Sequence, residues 1–283
     1  MLDNSPRVTD ARARALERLA TLGISRHEAR WLVEEFLIGG DPEAEKALDL
    51  AARRRLRGEP LQYIVGHWPF RSLDLDVDSR VLIPRPETEE LVDLALAELV
   101  HGAQSAPLIV DMGCGSGAIG LALAQELGQR GVRAQVILVD ESLDALTVAR
   151  GNARRHGLTT VSFLHSFWFD AWSESLAARV DLIVANPPYV ADADLASAQI
   201  ELSHEPEGAL VAPPRDGVEG FDDLARLIDG APQWLRRGGS LVLEHGADQA
   251  TPVTERLVER GFSDVADFVD LAGLPRMARG RWQ

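Results

Sequence analysis

The sequence predicts an α/β protein: a doubly wound, mostly parallel sheet preceded by a small helical domain. Three observations carry this. Short apolar runs alternate with helical spacing between residues 108 and 260. A glycine-rich turn follows the first of those runs. Residues 8–57, by contrast, carry helical spacing throughout.

Along residues 8–57, Ala11, Leu16, Leu19, Ala20 and Leu22 fall near helical spacing, and Gly23 supplies a stop. Ser25 with Glu28 forms a capping box ahead of Ala29, Leu32, Val33 and Phe36. Gly39-Gly40 is expected to end that helix, and Asp41-Pro42 to start another running to about Arg57. Between Phe70 and Ile83, Leu73, Leu75 and Val77 alternate with polar residues, as in a hairpin. Pro84-Arg85-Pro86 is a stiff kink, and Glu87 to Leu99 returns to helical spacing. Strands are then expected at Leu108–Met112, Val136–Asp140, Val161–Leu164, Val180–Ala185 and Ser240–Glu244. Helices are expected at Ala118–Leu127, Leu143–His156 and Thr251–Arg260, and Val190 to Gly220 reads as a long irregular loop. The division that follows is a helical domain at 1–66, a hairpin and linker at 67–90, and an α/β domain at 91–283.

Composition narrows the function. Apolar residues make up 46% and charged residues 26%, which excludes wholesale disorder and fibrous repeats. Basic residues number 29 and acidic residues 44, for a net charge of −15. Residues 1–60 are balanced, at 11 of each sign, so the whole excess lies beyond them. Such a chain is not held to nucleic acid by its overall charge. The single cysteine, Cys114, forms no internal disulfide, and the seven histidines show no metal-ligand spacing, so no metal is expected. The first residues lack a signal-peptide core, and no run reaches the ~18 apolar residues of a membrane span; a cytoplasmic, monomeric protein is expected. Arg53-Arg-Arg-Leu-Arg57 reads as a solvated helix end.

Sheets of this kind bind ligands beyond the carboxyl ends of their strands, where strand order reverses. Asp111 lies next to the end of the first strand, and Gly113-Cys114-Gly115-Ser116-Gly117 follow it. Their missing Cβ atoms permit a tight turn and the approach of a ligand to bare backbone. Asp140 ends the second strand, where a carboxylate takes two ribose hydroxyls. Gly113, Gly115 and Ala118 also satisfy a dinucleotide fingerprint, so the loop alone leaves nicotinamide cofactors open. The N-terminal extension and a second motif tilt the reading towards S-adenosylmethionine.

That second motif is Asn186-Pro187-Pro188-Tyr189, after the fourth strand. Two prolines remove two donors and fix φ near −65°, holding the Asn186 and Pro187 carbonyls as acceptors. A planar NH2 group offers two hydrogens: the Asn186 side chain accepts one, a proline carbonyl the other, and Tyr189 walls the plane. The site suits a delocalised nitrogen, in a carboxamide or an aminopurine. Methyl transfer to it is an in-line displacement governed by alignment.

These residues resemble the PrmC/HemK family, bacterial methyltransferases that modify the glutamine of the Gly-Gly-Gln motif in peptide chain release factors. The resemblance runs through Gly58-Glu-Pro-Leu-Gln-Tyr-Ile-Val-Gly66, Val81-Leu-Ile-Pro-Arg-Pro-Glu-Thr-Glu-Glu90, Asp111 to Gly117, Asp140, Asn186 to Tyr189, His204-Glu-Pro206 with Ala209-Leu-Val211, and Leu243-Glu-His-Gly246. It implies a class I methyltransferase fold, S-adenosylmethionine bound by Asp111, Gly113 to Gly117, Asp140, Trp168 and Asn186, and a glutamine site lined by Asn186, Pro187, Pro188 and Tyr189. Arg85 and Thr88 carry the most family-specific stretch and would meet the substrate. Phe167 stands where the family often has an acidic residue, and His204 where Phe or Tyr is commoner. The rival readings are another protein glutamine, such as one in a ribosomal protein, or an exocyclic amine of DNA or RNA, which needs a flipped base and lacks a basic surface here. A non-catalytic cofactor binder and a nicotinamide oxidoreductase rank below these.

Overall fold

A computed structural model describes residues 6–37, 42–101, 106–191 and 200–283. Two compact units emerge: Met1–His67 with Gln199–His204, and Trp68–Ala198 with Glu205–Gln283. Gly39, Gly40 and Asp41, expected to close one helix and open the next, lie outside the described residues, as does 192–199 of the long loop.

The first unit contains α1 (Pro6–Thr21), α2 (Arg26–Phe36), α3 (Pro42–Arg55) and the short α4 (Leu61–Val65). Leu19, Leu32, Val33, Leu48 and Ile64 are buried among them. The capping box closes as the sequence predicts: the Glu28 N–H donates to Ser25 Oγ at 3.3 Å, and the Ser25 N–H to Glu28 Oε2 at 3.2 Å. The one-turn α4 closes the helical unit, and Gly66, at φ +86°, ends it by donating its N–H to the Gln62 carbonyl. The arginine run is more than a solvated end. Arg53 and Arg57 are exposed, but Arg54 pairs with Glu59, and Arg55 pairs with Glu28 and Glu201. Half of the run is therefore spent inside the unit.

The hairpin β1 (His67–Phe70) and β2 (Leu73–Asp76), which lies in the second unit from Trp68 on, is earlier and shorter than the alternation suggested. Val77, Val81 and Ile83 are buried, but Asp78 accepts the Arg80 N–H at 3.0 Å and turns the chain, so 77–83 is not a strand. Next come α5 (Pro86–His101), β3 (Leu108–Met112), α6 (Ala118–Gln129), β4 (Gln135–Asp140), α7 (Leu143–Arg155), β5 (Val161–His165), β6 (Val180–Ala185), α8 (Asp222–Gly230), β7 (Leu235–Glu244), α9 (Ala250–Glu259), β8 (Ser263–Val269) and β9 (Pro275–Arg281). Strand order in the sheet is β5-β4-β3-β6-β7-β9-β8. The first five of these run parallel, and β9 and β8 add antiparallel pairs.

Apolar residues fill both faces, as buried parallel strands require. On one face Ile109, Leu138 and Val184 pack with Leu91, Leu121 and Leu146 of α5, α6 and α7. On the other, Val110, Ile183 and Leu243 pack with Leu224 of α8 and Val253 of α9. Trp172 joins that second core with Trp234, ring centroids 5.0 Å apart. β8 and β9 were not expected, because Pro-Arg-Met-Ala-Arg-Gly-Arg281 shows no apolar run. Its arginines are used inward: Arg279 and Arg281 reach the buried Glu98 carboxylate at 3.0 and 2.9 Å. Among the described residues no helix is long and apolar enough to cross a membrane.

Replacing Ser25 by Ala removes a side-chain cap of α2, and urea unfolding followed through the helical unit should show a loss of about 1 kcal/mol.

Candidate active site

Strand order reverses between β3 and β6, neighbours near the middle of the sheet. Their register pairs Met112 with Ala185, so Gly113 and Asn186 leave the sheet side by side.

The glycine loop is held from below by β4. The N–H groups of Gly113 and Cys114 both donate to the Val139 carbonyl at 2.9 Å. The Gly115 N–H donates to Asp140 Oδ2 at 2.9 Å, and the Ser142 N–H to Oδ1 at 2.8 Å. Gly113, Gly115 and Gly117 sit at φ +70°, +53° and +85°, where a Cβ would be strained. Burial raises the Asp140 pKa. Each of its oxygens keeps a second lone pair for a further donor.

Beside this loop lies an open cavity at the carboxyl edge of the sheet. Leu82, Gly113, Gly115, Asp140, Trp168 and Asn186 line it, together with Pro188, Pro206, Gly208 and Ala209. Trp168 adopts φ +42°, and its indole N–H donates to Asp223 Oδ1 at 2.8 Å. Ring atoms of Trp168 stand 3.5 and 3.6 Å from where a Gly113 Cβ would be, so the indole lies over bare backbone. Phe167 also faces the cavity, with the Arg226 guanidinium 5.6 Å from its ring centre.

Four residues expected to bind cofactor stand behind the cavity. Asp111 is fully buried; its Oδ2 accepts the Gly120 N–H at 2.8 Å, and its Oδ1 has no partner among the described residues. Burial, with the nearby Asp140, pushes its pKa from 3.8 to about 7. The Ser116 carbonyl accepts from Asn152, whose amide also clasps the backbone of Asp76 in β2. Cys114 is buried and its thiol pushed up by that burial, so it stays a thiol. Gly117 fits between Leu121 and Leu138, where a Cβ would stand 2.9 Å from Leu121 Cδ1. These residues shape the loop and do not line the cavity.

The Asn-Pro-Pro-Tyr turn is likewise held from behind. The Asn186 amide NH2 donates to Thr88 Oγ1 at 3.1 Å, which leaves Oδ1 as its acceptor. Thr88 in turn donates to Glu244 Oε2 at 2.8 Å, and the Tyr189 hydroxyl donates to Glu244 Oε1 at 3.1 Å. Gly220, at φ +62°, packs so closely that a Cβ would sit 2.2 Å from the Tyr189 carbonyl oxygen. Arg85 is engaged by the buried Glu205 at 2.6 Å, and Glu205 also accepts the Ile83 N–H. Asn186 and Pro188 thus reach the cavity, while Pro187, Tyr189, Arg85 and Thr88 do not line it. Sequence reasoning assigned no role to Asp223, which anchors Trp168, or to Glu244. The first follows an irregular stretch and gave no signal. The second is an acid at the carboxyl end of a buried strand, and that placement was a usable sign.

A doubly wound sheet with a cavity at its switch point, edged by a strand-end carboxylate and an asparagine turn, is the architecture of a class I methyltransferase. Residues 88–205 match the family model described as Methyltransferase small domain. The release factor glutamine methyltransferase of Xylella fastidiosa (strain Temecula1) is 43% identical over 238 residues, covering 84% of this chain and 82% of that one. That of Bordetella pertussis is 40% identical over 274 residues, covering 93% and 97%. Among solved structures, the T. thermophilus 16S rRNA N2 G1207 methyltransferase, in complex with AdoMet and guanosine, shares the fold at TM-score 0.52 and 20% identity, over 77% of this chain and 50% of that chain. The chain belongs to the release factor glutamine methyltransferase family.

The buried Asp111 generates a pH test. The unfolded carboxyl loses its proton near pH 4 and the folded one near pH 7, so folding is progressively disfavoured as pH rises through that window and by a constant amount above it. Asp111→Asn abolishes this titration. Its melting temperature, relative to the parent, should climb between about pH 4 and about pH 7 and level off beyond, in thermal unfolding scans at matched ionic strength.

Proposed function

We propose that this chain transfers a methyl group from S-adenosylmethionine to the side-chain amide nitrogen of the glutamine in the Gly-Gly-Gln motif of peptide chain release factors. The observation that carries the reading is Asn186: it opens on the same cavity as the glycine loop and has its NH2 group committed to Thr88. The names of the relatives supply the substrate class.

The residues present fit the cofactor. Gly113 and Gly115 offer backbone without side chains, and beyond a Gly115 Cβ there is open space. The spare lone pairs of Asp140 suit ribose hydroxyls, while Trp168, Phe167 and Leu82 suit the face of a base. The acidic lining from Asp140, Glu141 and Asp223 favours a ligand bearing positive charge. Asp111, Cys114, Ser116 and Gly117 serve by holding the loop in shape. Bound there, S-adenosylmethionine supplies a methyl group on a positively charged sulfur.

The chain's own task is alignment. An amide nitrogen is a weak nucleophile because its lone pair is delocalised, so positioning provides most of the rate. Asn186 Oδ1 accepts one hydrogen of the substrate NH2, a carbonyl of the proline pair accepts the other, and Pro188 confines the plane, with Tyr189 fastening the turn from behind through Glu244. The nitrogen becomes acidic as the new bond forms and sheds its proton without a strong base. The N-terminal helices help to engage the protein substrate, which is met in the cytoplasm by a monomeric enzyme. A nucleic-acid amine is disfavoured by the net charge of −15.

The test is incubation with methyl-labelled cofactor and a release factor. Label should enter the Gly-Gly-Gln factor and not its Gln→Ala variant; label on neither, or on added RNA, would overturn the proposal. Asn186→Ala should lower turnover by about 100-fold or more while leaving cofactor affinity within a few-fold, read by isothermal titration beside the label assay.

A further inference from the structure

We infer that Glu244 is a positioning residue: acting through Thr88, it fixes which way round the Asn186 amide sits. The inference rests on the reading of Asn186 as acceptor for the substrate nitrogen and adds to it the device that makes Asn186 an acceptor.

An asparagine side chain presents oxygen on one side and NH2 on the other, and the two are nearly the same shape. Only one orientation serves here, since an NH2 group facing the substrate NH2 would set donor against donor. The hydroxyl of Thr88 decides the matter. It carries a single proton, and that proton goes to Glu244 Oε2 at 2.8 Å. What remains on Thr88 is a lone pair, and the Asn186 NH2 donates to it at 3.1 Å. Oδ1 is thereby left for the cavity. Were Thr88 free to donate towards Asn186, the amide would turn over.

Glu244 is suited to keep Thr88 in the donating state. It ends β7, is 1% exposed, and has both oxygens occupied by hydroxyl donors, the second being Tyr189 at 3.1 Å. As a carboxylate it has no proton to give, so each neighbouring hydroxyl must point towards it. Tyr189, within the same turn as Asn186, is fastened by the same group. One buried acid therefore sets the polarity of both ends of the Asn-Pro-Pro-Tyr motif.

The charged groups around Glu244 balance closely. Burial raises its pKa from 4.5 to about 7, against the donated bonds of Thr88 and Tyr189 and the positive charge of Arg276 on β9. Glu87, in the first turn of α5, pushes the same way as burial. The neighbouring His245 turns its imidazole to Asp267 and the Gly246 carbonyl, and Arg276 is shared with Asp270. Protonated, Glu244 acquires a donor of its own, the Thr88 hydroxyl is released, and the orientation of Asn186 is no longer imposed. Activity is accordingly lost as pH falls through about 7.

Three full-length variants test this: Thr88→Val, Thr88→Ser and Glu244→Gln, assayed with a release factor from pH 6 to 9, with cofactor affinity measured alongside. Thr88→Val keeps the shape and removes the hydroxyl; kcat should fall at least about tenfold, the scale of one lost charge-assisted contact, with cofactor affinity nearly unchanged. Thr88→Ser should restore most of that loss. Glu244→Gln should be slower at pH 8 and, tellingly, lose the decline below pH 7 shown by the parent. A Thr88→Val enzyme with parental kcat, or a Glu244→Gln enzyme that keeps the acid limb at the same pH, would overturn the inference. If instead Asn186→Ala retains turnover, the underlying reading of Asn186 fails, a separate outcome from either of these.

Discussion

The pairing of β3 with β6 is the constraint on which the rest of the site depends. Adjacent strands lie about 4.8 Å apart, and the register that pairs Met112 with Ala185 places two unrelated turns next to each other. One turn is bare backbone that admits a nucleoside. The other presents an asparagine and two prolines. A slip of one residue would turn the side chains of β6 to the opposite face of the sheet. Buried Ile109, Val110, Ile183 and Val184, facing alternately into the two cores, forbid it.

Around that pairing, carboxylates carry much of the organisation. Asp140 ties the glycine loop to the turn after β4, Asp111 ties the end of β3 to the start of α6, Asp223 fixes Trp168, and Glu205 clasps the stretch containing Ile83 and Arg85. Glu244 does the equivalent for Thr88 and Tyr189. The acidic excess beyond residue 60 is thus partly structural, and several of these groups are held above their ordinary pKa by burial.

Much of this was legible in the sequence, for physical reasons that differ by element. The five parallel strands are continuous apolar runs because both faces are buried, and their ends agree with expectation to within a residue or so, apart from the start of β7. That strand begins five residues early, at Leu235, where Arg-Arg-Gly-Gly carries no apolar signal. The antiparallel β8 escaped because it is an edge strand and only half buried, and β9, paired on both sides, spends its arginines on Glu98. Residues 77–83 misled in the other direction: their alternation records burial, while Asp78 turns the chain. In the site, spacing located both motifs but not the direction of each side chain. Asp111, Cys114, Ser116 and Gly117 share the loop's sequence and lie behind it, and Thr88 and Tyr189 turn to Glu244, a partner far away in the chain.

The most direct test of the central claim is a crystal structure of the chain with S-adenosylhomocysteine and a peptide containing Gly-Gly-Gln. The account predicts the glutamine side chain in the turn at Asn186, its nitrogen about 3 Å from Asn186 Oδ1 and facing the sulfur across the gap a methyl group would fill. A peptide seated elsewhere, or a sulfur directed away from that turn, would contradict it.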